Sequence, residues 1–265
     1  MATRSIMPEQ PAVDERLVMP ECDHEIVDGQ VFAVSPAHEP HGSRHSKLSA
    51  ILEAFVAPGF NAACDMLTRT SRFDDFAPDA SIYLLARDPA TGGRQLEQLA
   101  FEVVSTESLA HAGRKAALLV ARGVRRVFAI DVERQRGLEW SVSTDGWEIL
   151  GPDAVIDDPA LVIPLPVHDL VAAAHADDAV ARALLAKHNP VLVATIEAQR
   201  ADAARDARCD TLIAAVLRVL AARGLPLDEA QRAAIASITD LPTLEALLDA
   251  AATATDVSAL RLVPR

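Results

Sequence analysis

Cysteine, aromatic side chains and positive charge are all scarce in this chain, and each scarcity removes a class of protein. Its 265 residues include three cysteines, Cys22, Cys64 and Cys209. They are too few and too scattered for a disulfide framework or a zinc cluster, so a reducing, cytoplasmic setting is expected. Aromatic residues make up only 4%; Ala, Val and Leu supply the apolar mass, and no stacking platform for bases is apparent. The 25 basic residues face 38 acidic ones, a formal net charge of −13. That balance disfavours sequence-independent adhesion to a polyanion. No apolar stretch approaches the roughly 20 residues that span a bilayer. Met1–Gln10 also lacks the charged start and apolar core of a secretory leader. A soluble protein with no membrane partner is the expectation.

What is present reads as an α/β (α+β) chain. Residues 1–20 are polar, proline-bearing and without period, which suggests a loose arm. Glu25–Val34 reads as a hairpin, because Asp28-Gly29 between two apolar runs is a two-residue turn signal; Ser35-Pro36 ends it. Leu48, Ile51, Leu52 and Phe55 recur every three to four residues, predicting an amphipathic helix over about 42–56. Strands are expected at 60–67, 78–85, 99–104 and 126–132, and a closing hairpin at 138–150 around Thr144-Asp145-Gly146. A helix over 106–122, with Thr106 or Ser108 as N-cap and Gly123 as stop, joins two of the strands. The result is a mixed central sheet flanked by helices over residues 21–170. Four prolines make 151–170 look like a linker, and 171–265 looks like an all-α appendage. The appendage's stripe Leu212, Ile213, Val216 and Leu220 suits a small helical core or self-association into a homo-oligomer.

Two acids in strand-like runs are the strongest chemical signal. Asp79 opens Pro78–Leu85, and Glu102 sits within Leu99–Val104. A carboxylate embedded in a strand is costly to bury without a partner. Two of them on adjacent strands supply the hard oxygen ligands that suit Mg²⁺ or Mn²⁺, with the Val103 carbonyl as a third. Such a centre hydrolyses phosphodiesters. Lys115, on the helix that follows the Glu102 strand, is the candidate to balance phosphate charge. Ser105, at the strand end, is placed to bond a ligand. Between Arg114 and Arg136 basic residues outnumber acids, a pattern that reads as a solvated face ahead of a polyanion track.

Beyond the individual residues, the chain resembles a known group. Asp28-Gly29 with Val31 and Ser35-Pro36, His41 before an amphipathic helix, Pro78-Asp79, Glu102-Val103-Val104-Ser105, and Lys115 with Gly123-Val124 resemble the Uma-two family of the PD-(D/E)XK, restriction-endonuclease-like superfamily. The likeness runs over about residues 24–150. It implies a restriction-endonuclease-like fold, Asp79 and Glu102 as metal ligands, and His41 lining the same cleft. The superfamily's usual lysine, two residues after the acid, would be Val104 here; the resemblance implies that Lys115 takes its role. Thr106 stands where the family tends to have Pro, and His111 where it tends to have Asp. The implied activity is metal-dependent endonucleolytic cleavage of nucleic acid, DNA first. The alternative is a decayed nuclease fold that serves as a binding or assembly module through its C-terminal helices. A third reading has Glu102 paired with Lys115 or Arg114 inside the fold, with no metal.

Overall fold

A computed structural model describes residues 11–18, 23–34, 39–105, 109–172 and 175–260. Cys22, Ser35-Pro36 and the cap candidates Thr106 and Ser108 lie outside these residues. β1 (His24–Val27) and β2 (Gln30–Ala33) form the expected hairpin. Asp28 and Gly29 both have positive φ, +53° and +68°. A tight turn matching the right-handed strand twist requires that pair of conformations. The hairpin belongs to a four-stranded sheet of order β2-β1-β5-β4, where β4 is Thr68–Arg69 and β5 is Asp75–Phe76. These two-residue strands carry too little sequence to show a period, and they were not expected.

The main sheet has six strands in the order β10-β9-β8-β7-β6-β3. In chain order these are β3 (Phe60–Cys64), β6 (Ala80–Leu84), β7 (Glu97–Val104), β8 (Arg126–Asp131), β9 (Arg136–Ser141) and β10 (Gly146–Ile149). Only β7 and β8 run parallel. A parallel neighbour needs a crossover, and α2 (Leu109–Arg122) provides it. α1 (Glu39–Phe55) begins three residues before the expected start. Alternation along β7 sends Leu99, Phe101 and Val103 into one core with Leu48, Ile51, Leu52 and Phe55 of α1. Ala100 packs on the other face with Ala116 and Leu119 of α2. Glu102 shares the parity of Ala100, so it faces α2.

Two expectations are corrected. Residues 11–18 are tied down: Leu17 N and Val18 N donate to Asp75 Oδ2 at 2.5 and 3.0 Å, and Arg122 Nη2 donates to Pro11 O at 2.6 Å. The segment 151–170 is not a linker. It forms β11 (Val155–Ile156), β12 (Leu165–Pro166) and most of α3 (Val167–Val171). Ile156, Leu161, Leu165, Val167 and Leu170 join the α1-side core. The prolines there bound short elements whose apolar residues are buried, and burial outweighs the breaker signal.

Several members of the basic run are paired with acids of the fold. Arg125 Nη2 bonds Asp158 at 2.5 Å, Arg126 Nε bonds Glu139 at 2.6 Å, and Arg136 Nε bonds Asp131 at 3.0 Å. Arg114, Arg125 and Arg134 remain exposed, so the run is in part the solvated face expected.

The chain divides into two compact units, residues 1–189 and 190–265. The first ends with α4 (Ala176–Ala186), whose Ala176, Ala179 and Ala183 enter the α1-side core. The second comprises α5 (Pro190–Ala222), α6 (Glu229–Ala236) and α7 (Leu241–Thr253), closed around Val216, Leu220, Ile235, Leu247 and Ala251. Asp228 caps α6 and Asp240 caps α7, each side chain accepting a backbone N–H. Among the described residues no helix is long and apolar enough to cross a membrane.

Candidate active site

Asp79 lies just before β6, at the end of the β3–β6 ladder where Cys64 pairs with Ala80. Its carboxylate is fastened to the neighbouring strand, because Val103 N donates to Asp79 Oδ2 at 2.5 Å. Asp79 and the backbone beside Glu102 are therefore held together across β6 and β7. From α1, His41 Nε2 stands 3.9 Å from Asp79 Oδ1. His41 Nδ1 is in turn 3.5 Å from Ser105 Oγ. His45, one turn further along α1, contacts the Asp79 carbonyl through Nε2 and lies 3.8 Å from Asp65 Oδ1.

On the α2 face, Lys115 Nζ sits 3.2 Å from Glu102 Oε2 and 3.6 Å from Glu25 Oε2, and donates to Ala77 O at 2.7 Å. Glu102 is 3% exposed and Lys115 4%, so this is a buried ion pair. Burial pushes the Glu102 carboxyl well above its ordinary range; Lys115 opposes that shift, while Asp79 and Glu25 add to it. For Lys115, burial alone would depress the ammonium. The carboxylates of Glu102, Glu25 and Asp79 reverse this and raise it above its usual value. One lysine thus serves three acids, and Glu102 Oε1 is buried with no hydrogen-bond partner. An orphaned, buried carboxylate oxygen beside a second strand-held acid fits a divalent cation.

The sequence-derived residues therefore gather in two adjoining groups. Asp79, His41 and Ser105 meet on the α1 side, and Glu102 and Lys115 meet under α2; the Val103 N–H bond to Asp79 links the groups. Three participants were not singled out from sequence. Glu25 shares a face of β1 with buried Val27, a period-two signal that was available. His45 follows His41 at the i+4 spacing of one helical face. Asp65 carried no local signal.

The family model described as "Putative restriction endonuclease" (Uma2) matches residues 13–164, more than half of the chain. Among solved structures, one titled a "putative nuclease belonging to DUF820 from Anabaena variabilis" is similar, with a TM-score of 0.49 and 19% identity. That match covers 61% of this chain and 98% of the other. No curated protein matches. The chain belongs to the Uma2 family of restriction-endonuclease-like proteins.

Proposed function

We propose that the protein is a metal-dependent endonuclease that hydrolyses phosphodiester bonds in nucleic acid, DNA first. The carrying observation is the bond that ties Asp79 to the strand bearing Glu102. Asp79 is bonded to Val103 N at 2.5 Å, immediately beside Glu102, which itself lies 3.2 Å from the Lys115 ammonium. Asp79, Glu102 and the Val103 carbonyl are the groups to hold Mg²⁺ or Mn²⁺. The N–H and C=O of a strand residue share an edge, which turns that carbonyl toward Asp79. A bound ion supplies Lewis-acid polarisation of the scissile phosphate and a more acidic water.

The remaining roles belong to the chain's own side chains. Lys115 neutralises phosphate charge, drawing on a cation that three carboxylates keep protonated. His41 is the candidate proton carrier on the Asp79 side, and Ser105 orients its ring. In a plasmid-cleavage assay, Mg²⁺ or Mn²⁺ should support nicking that a chelator stops. Asp79→Ala and Glu102→Ala should each abolish it in folded protein; cleavage that survives both substitutions ends the proposal.

A second reading has one specific observation in its favour. Lys115 is satisfied internally by Glu102, Glu25 and Ala77 O, which is how a retained scaffold without chemistry would neutralise its acids. On that reading the helices of residues 190–253 mediate assembly. Light scattering of the intact chain beside a chain ending at residue 189 would then show oligomers only in the former.

A further inference from the structure

Two carboxylates face each other at the open end of the β3–β6 ladder. Cys64 pairs with Ala80, so Asp65 and Asp79 are the next opposed residues, and Asp65 N donates to Asp79 O at 3.3 Å. Like charges directly opposite on neighbouring strands repel, and the nuclease reading gives Asp65 no task. α1 suspends His45 over this pair. One ring nitrogen of His45 and one oxygen each from Asp65 and Asp79 all lie within 4.8 Å of one another. Among the described residues this is the one trio of His, Cys, Asp or Glu so disposed, and Glu102 is outside it.

We propose that His45, Asp65 and Asp79 form a second divalent-cation site, selective for a first-row transition ion such as Mn²⁺ over Mg²⁺. It rests on the nuclease reading only in sharing Asp79 with the site proposed there. An imidazole nitrogen among the ligands favours Mn²⁺, Co²⁺ or Zn²⁺, whereas Mg²⁺ prefers oxygen and water. Ligand atoms bound at roughly 2.1 Å stand about 3–4 Å apart around one ion, so the trio closes by a small contraction together with release of His45 Nε2 from the Asp79 carbonyl. The Asp65 side chain is 69% exposed, which leaves the site open to an entering ion. A cation there relieves the opposed carboxylates, and it takes no ligand from the Glu102–Lys115 pair.

The test is a Mn²⁺ titration of the full chain, followed by electron paramagnetic resonance with Mg²⁺ in large excess. Wild type should retain one Mn²⁺ per chain that Mg²⁺ does not displace, and Glu102→Gln should retain it too. Asp65→Asn and His45→Ala should each weaken it by about tenfold or more. Asp65→Asn alters an exposed side chain, so an unchanged metal-free melting temperature certifies its fold. Affinity indifferent to both substitutions, or complete displacement by Mg²⁺, overturns the site. Mn²⁺ held by the trio with no cleavage of any nucleic acid would sink the nuclease reading and leave the site standing. Metal-dependent cleavage with Mn²⁺ binding blind to His45 and Asp65 would do the reverse.

Discussion

At the scale of single residues, Lys115 governs the electrostatics of the buried acids. Removing one partner of a buried ion pair leaves an uncompensated charge, typically at a cost of about 3–5 kcal/mol. Lys115→Met should show that loss at pH 8 and much less of it at pH 5. The sign follows from Glu102. Its folded pKa is raised, chiefly by burial, so stability is fullest below the ordinary carboxylate value and falls as pH rises through the folded one. Without Lys115 nothing opposes that fall, and urea denaturation at the two pH values measures it.

Asp131 behaves in the opposite sense. Burial works to raise its pKa, but bonds from Arg134 N (3.0 Å), Arg136 Nε (3.0 Å) and Arg134 Nη1 (3.3 Å) outweigh it and hold the group low. Its contribution is present above the unfolded carboxylate value and is lost as pH falls through the folded one. Asp131→Asn should therefore cost about 1–3 kcal/mol at pH 7. Its denaturation curve should converge with wild type near the acid limit.

At the scale of elements, α2 sets where Lys115 stands. A Cβ at Gly113 would lie 3.1 Å from Trp140 Cζ3 and 3.3 Å from Trp147 Nε1, and Trp147 Nε1 already donates to Leu109 O. The helix is seated against two tryptophans at a point where even a Cβ would press on both rings. Gly113→Leu should overpack this seat at a cost of about 1–3 kcal/mol. It should also reduce cleavage further than its loss of stability explains, because Lys115 lies two residues along. Thermal melting read beside activity separates the two effects.

Most elements of this unit were legible in the sequence, since the near-continuous apolar runs of β7 and β8 and the three-to-four spacing in α1 are local signals. β4 and β5 were not, being shorter than any period. The candidate site divides along the same line. Asp79 and Glu102 stand out because a strand makes a carboxylate conspicuous. Glu25, His45 and Asp65 join them only through space, across a hairpin, along a helix face and over a ladder end.

At the scale of the whole molecule, the first unit closes only when residues 151–189 are included. Gly137 marks the contact on β9: a Cβ there would stand 2.5 Å from Val167 Cγ1. α3 therefore lies directly on the sheet. A chain ending at residue 150 would expose the core faces that Ile156, Leu165 and Leu170 cover, and it should be aggregated or molten. A chain ending at residue 189 should unfold in one cooperative transition with native near-ultraviolet circular dichroism. Reading 151–170 as a connector failed because proline frequency says where an element stops and nothing about what the residues between stops bury.

The parallel pairing of β7 with β8 carries one last implication. A return helix must climb back along the strand it has just left, so an early turn of it passes above that strand's tail. An ammonium group delivered this way owes its address to topology. Insertions or deletions between Glu102 and Lys115 can accumulate while the two charges stay neighbours. Searches that demand a fixed interval between acid and base will pass over proteins wired like this one.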